Sequence, residues 1–93
     1  MLNSFDNLLE VVAEIFNRGY KVSSQALLDI KKERTDIAIV LLSNDRFKLY
    51  YFESKLHLET TYSNIAIDDD FIEELEYLNM IRKQFDEVNA DNK

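Results

Sequence analysis

The sequence predicts an α+β domain in which a three-stranded antiparallel sheet is flanked by helices, in the order α(α)βββα. Three observations carry that reading. Apolar residues recur at helical spacing near both ends of the chain, the pattern becomes strand-like between Asp36 and Tyr62, and the links inside that stretch are too short for parallel crossovers. At 93 residues, 46% hydrophobic and 31% charged, the composition is that of one globular domain, 1–93, with residues 89–93 as a frayed tail.

The first helix is expected over 5–18. Ser4 is a suitable N-cap, and Phe5, Leu8, Leu9, Val12, Ile15 and Phe16 follow at three- and four-residue spacings. Gly19, the only glycine, stands where a left-handed residue closes a helix. The stretch 23–34 has two readings. In one, Ser23 or Ser24 caps a short helix that buries Ala26, Leu27 and Ile30; in the other, Ala26–Ile30 is a strand. The helix is preferred.

From Asp36 the period shortens. The run Ile37 to Leu42 is apolar on both faces, as in a central strand with every residue covered. Ser43-Asn44-Asp45 forms a turn through short polar side chains. Phe47, Leu49 and Tyr51 alternate with Lys48, Tyr50 and Phe52 in a second strand, and Leu56, Leu58, Thr60 and Tyr62 mark one face of a third. Ile65 and Ile67 either extend that strand or dock a loop. Asp70 and Glu73 suit a capping box, and Phe71, Leu75, Leu78, Ile81, Phe85 and Val88 trace one face of a final helix over 71–88. Truncating Phe85 to alanine is therefore expected to cost ~3–5 kcal/mol. Glu74→Lys, read as an exposed change, should cost less than ~1 kcal/mol.

The formal charge of −7 is unevenly distributed. Residues 1–58 are neutral, so the excess lies entirely in the last third. There Arg82 and Lys83 can face Asp86 and Glu87 at i,i+4. Asp68, Asp69, Asp70, Glu73, Glu74 and Glu76 have no base among them. Six acids over ~12 Å of helix approach the charge density of duplex DNA, about one per 1.7 Å. A solvated helix face produces the same pattern.

Chemistry of other kinds finds little material. With no cysteine and the single histidine His57, the chain lacks the ligands of a zinc site and a cysteine nucleophile, and no metal or cofactor is expected. The run Asp68-Asp69-Asp70 lacks the spaced ligands and turn glycine of a calcium loop. One glycine cannot build a phosphate loop. No catalytic residue is assigned. The six-residue run Ile37 to Leu42, the longest apolar one, falls far short of the ~20 needed to span a bilayer, and the N-terminus lacks the basic region of a secretory signal. A cytoplasmic, non-enzymatic protein is expected.

The short chain, the helix–three-strand–helix order and the cluster DDDFIEELE at 68–76 resemble small phage and mobile-element proteins that inhibit host nucleic-acid enzymes, anti-CRISPR proteins acting as DNA mimics among them. The resemblance is one of layout and charge. It implies an inhibitor that presents the acids to a basic groove of a host nucleic-acid-binding protein, without contacting nucleic acid or membrane itself. Tyr50 and Phe52, on the less covered face of the hairpin, are added as partner-binding candidates. The alternative is a structural module forming a homodimer through a sheet edge or the aromatic hairpin face. A third reading is a winged-helix DNA reader using Lys31, Lys32 and Arg34, which the net charge opposes.

Overall fold

In the computed structural model, which describes residues 3–60 and 67–91, the chain forms α1 (Ser4–Asn17), α2 (Ser24–Lys31), β1 (Ile39–Ser43), β2 (Phe47–Phe52), β3 (Lys55–Thr60) and α3 (Asp69–Asp91). The strands make one antiparallel sheet in the order β1-β2-β3. The α+β class and the element order are those expected. None of the described helices is long and apolar enough to cross a membrane.

α1 starts one residue earlier than expected. Asn3, not Ser4, is the N-cap: its Oδ1 accepts from the Asp6 amide at 2.9 Å and the Asp6 carboxylate accepts from the Asn3 amide at 3.4 Å. Ser4 is thereby freed, and its hydroxyl lies 3.1 Å from the Tyr51 hydroxyl. At the other end Gly19, at φ +103°, turns the chain so that its own amide and that of Tyr20 donate to Phe16 and Ile15. α2 is a helix, capped by Ser23, whose hydroxyl accepts from the Ala26 amide. It buries Ala26 and Ile30 but leaves Leu27 41% exposed. Leu27 follows Ala26 by a roughly 100° step and falls outside the stripe that Ala26 and Ile30 share.

The apolar run is an edge strand rather than a central one, because the hairpin β2–β3 continues the sheet on one side of it only. Ala38 is exposed, and Ile37 and Val40 are half-buried. The register slips between Val40 and Leu42: Val40 faces Tyr50 while Leu42 faces Leu49. This bulge makes Leu41 the extra residue, so two consecutive leucines are buried where strict alternation would expose one. In β2, Phe47, Leu49 and Tyr51 are buried and Lys48, Tyr50 and Phe52 are half-buried. The helices therefore cover one face. Phe5 of α1 and Phe85 of α3 meet Tyr51 at ring distances of 5.3 and 6.0 Å, and Phe71 of α3 stacks on Phe47 at 5.0 Å. Along β3, Leu56 is buried and Leu58 half-buried. The positions Tyr62 and Ile65, expected to prolong it, lie outside the described residues; Ile67 is exposed and outside the strand.

α3 is capped by Asp68, whose Oδ1 accepts from the Phe71 amide at 2.8 Å, not by Asp70. Three successive aspartates offer three competent caps. The earliest one is used, with Phe71 already helical and seated on Phe47. Phe71, Leu78, Ile81 and Phe85 are buried and Leu75 packs against them, but Val88 is 45% exposed. It stands only roughly 20° around the helix from the buried Ile81, but two turns further along, where it borders an open groove beside α1. The helix continues into the stretch expected to fray, as far as Asp91, with 92 and 93 outside the described residues, and Asn7 of α1 donates to Asn89 at 2.8 Å. α1 and α3 are thus antiparallel neighbours, joined at their other ends by Tyr77, whose hydroxyl donates to the Glu14 carbonyl.

Candidate functional site

The acids of 68–76 occupy the first turns of α3, and tertiary structure supplies the bases that the local sequence lacks. Arg18, just past α1, pairs with Glu73 at 3.2 Å and lies 4.2 Å over the Tyr77 ring. Arg46 belongs to the β1–β2 turn, which Asn44 shapes by accepting from the amides of Arg46 and Phe47, each at 2.8 Å. From there it reaches Glu74 at 3.1 Å and Asp68 at 3.9 Å. Glu74 is half-buried rather than exposed, and its other oxygen accepts from the Tyr20 hydroxyl at 2.7 Å. Burial, aided by that carboxylate, pushes the Tyr20 phenol up to about 12.

The six carboxylates therefore divide into two groups. Asp68 caps α3, and Glu74 ties it to Tyr20 and Arg46; both have structural work. Asp69, Asp70 and Glu76 are exposed and, among the described residues, make no ion pair, while Glu73 is shared with Arg18 but remains largely open to solvent. Asp69, Glu73 and Glu76, at i, i+4 and i+7, project from one side of the helix over roughly 10 Å. With Arg18 and Arg46 counted, the patch carries a net charge of about −4 rather than −6, a lower density than duplex DNA.

Tyr50 and Phe52 lie elsewhere. They occupy the face of β2 that the helices do not cover. Tyr50 stacks on His57 across the hairpin, with ring centroids 4.9 Å apart and planes at 14°, and donates its hydroxyl to Glu59 at 3.0 Å. The Glu59 acceptor raises the Tyr50 pKa. Lys48 Nζ sits 5.2 Å from the same ring. His57 is absorbed by this stack and by a 3.2 Å contact to the Phe52 carbonyl. Acids and aromatics therefore lie on opposite sides of the sheet and form no common site. Of the basic cluster, Arg34 closes on Asp36 through two 2.8 Å hydrogen bonds, which pull the Asp36 carboxyl down to about 2. Lys31 and Lys32 are exposed and, among the described residues, make no ion pair.

One feature escaped sequence reasoning. Between α1 and α3 runs a groove of about 420 Å³ with Val11, Ile81, Phe85 and Val88 as its apolar lining and Glu10, Glu14 and Gln84 at its margins. The signal was present in the i,i+4 spacing of Glu10 and Glu14, but nothing in the order of residues says which helix stands opposite. Among the described residues no group of three or more His, Asp or Glu side chains is arranged to hold a metal ion. Comparison with family models, curated proteins and solved structures gave no match.

Proposed function

We propose that this chain is a non-enzymatic protein-binding module that presents the acidic start of α3 to a basic groove on a nucleic-acid-binding protein, and acts as an inhibitor by occupying the phosphate path. The observation that supports the reading most is the division of labour among the six acids. Asp68 and Glu74 are fixed within the fold, whereas Asp69, Asp70, Glu73 and Glu76 stay on the solvent side of a rigidly anchored helix. Rigid placement lowers the ordering cost of binding, and a field of one sign steers a basic partner while making the association salt-sensitive.

The reactive set is narrower than the sequence suggested. Charge reversal of Asp69, Asp70 and Glu76 removes the free carboxylates without touching the cap or the Tyr20–Glu74–Arg46 contacts. The test has two arms. A partner captured from host lysate should be lost on that triple reversal, and duplex DNA should displace it from the unaltered protein. Capture that survives the reversal, or that excess duplex DNA leaves intact, overturns the proposal.

A further inference from the structure

The α1–α3 groove has a counterpart on the same molecule. α2 turns Ala26 and Ile30 inward, so its outward stripe consists of Ser24, Leu27, Leu28 and Lys31, with Lys32 directly after it. Leu27 and Leu28 are 41% and 43% exposed, and neighbouring leucines half open to water on a helix this short are otherwise unexplained. The two surfaces are opposite in kind. One is an apolar trough edged by Glu10 and Glu14; the other is an apolar ridge ending in two lysines.

We infer that α2 of one copy seats in the α1–α3 groove of a second copy, with Leu27 and Leu28 against the exposed Val88 and the groove floor over Val11 and Phe85, and Lys31 and Lys32 against Glu10 and Glu14. The dimensions agree. An eight-residue helix is ~12 Å long, and the groove wall from Asn7 to Glu14 rises ~10 Å. α1 packs against both α2 and α3, so ridge and groove belong to one helix layer and each copy offers both, which lets the contact be made twice in a closed pair. The net charge of −7 on each copy opposes association, but at physiological salt charges more than ~8 Å apart are largely screened while the paired groups lie in near contact. This inference uses neither the first turns of α3 nor the aromatic sheet face, and stands independently of the proposed inhibitor role.

Sedimentation equilibrium on the full chain from micromolar to millimolar concentration tests it. The unaltered protein should move from monomer to dimer mass. Lys31→Glu with Lys32→Glu, and separately Glu10→Lys with Glu14→Lys, should each remain monomeric where the unaltered protein is dimeric. All four side chains are exposed, so circular dichroism should show both variants folded. Mixed in equal amounts, the two variants should restore the dimer, because each then meets the opposite charge. A monomer throughout would overturn the inference and leave the groove to a basic helix of another protein. A dimer that persists in both variants, or a mixture that stays monomeric, also refutes it.

Discussion

Glu74→Lys measures how far the fold depends on the acids of α3. The carboxylate accepts the Tyr20 hydroxyl at 2.7 Å and the Arg46 guanidinium at 3.1 Å, and the side chains of both Glu74 and Arg46 are only 27% exposed. A hydrogen bond to a charged group contributes ~1.5–3 kcal/mol. The ion pair adds at most ~1 kcal/mol at this exposure. Reversal also sets an ammonium beside Arg46. The expected loss is ~3 kcal/mol, against a total of ~5–14 kcal/mol for a domain of this length. With ~4–8 °C per kcal/mol, the melting temperature should fall by ~12–24 °C. Urea unfolding followed by circular dichroism checks the size of the loss, and an unchanged m-value shows that the native state stays compact. Glu74→Gln, which still accepts from Tyr20, should lose about half as much. If Glu74→Lys unfolds within ~0.5 kcal/mol of the unaltered protein, as a merely solvated acid would, the anchoring argument is wrong.

Phe85→Ala should cost ~3–4 kcal/mol, since Phe85 is 3% exposed and edge-on to Tyr51, while the groove above it lets solvent relieve part of the cavity; a urea melt with a loss below ~1.5 kcal/mol would place the ring outside the core. Glu53 and Ser54 form the two-residue β2–β3 turn with φ of +53° and +67°, so Ser54→Gly should stabilise by ~0.5 kcal/mol, the relief of a left-handed residue less the added freedom of the unfolded chain, and a destabilised variant would contradict that geometry. Tyr20 titrates at about 12 in the folded state against about 10 when free, so its contribution to stability is complete below about pH 10 and is lost as pH rises through about 12. Tyrosinate absorbance should show Tyr20 among the phenols that ionise late, and Tyr20→Phe should remove one phenol from that late phase; a late phase of unchanged size would refute the assignment.

The elements were legible in the sequence because each rests on near neighbours. The spacing of Phe71, Leu78, Ile81 and Phe85 marks a helix, the alternation through Phe47–Phe52 marks a half-covered strand, and Gly19 marks a helix end, all within a few residues of chain. The exposed status of Asp69, Asp70 and Glu76 and the open face beneath Tyr50 and Phe52 were readable on the same basis. Only the assembled structure decided the rest. Ile37 to Leu42 looks like a central strand by composition, but its place at the edge follows from which strands the hairpin puts beside it, and the bulge at Leu41 permits two leucines in a row to be buried. The acid cluster looked unpaired because Arg18 and Arg46 are 55 and 28 residues from Glu73 and Glu74 in sequence. The groove between α1 and α3 joins residues about seventy positions apart. Helical and strand periodicities are properties of the local backbone, whereas pairing across the fold depends on which surfaces meet once the core has closed, and no local pattern encodes that choice.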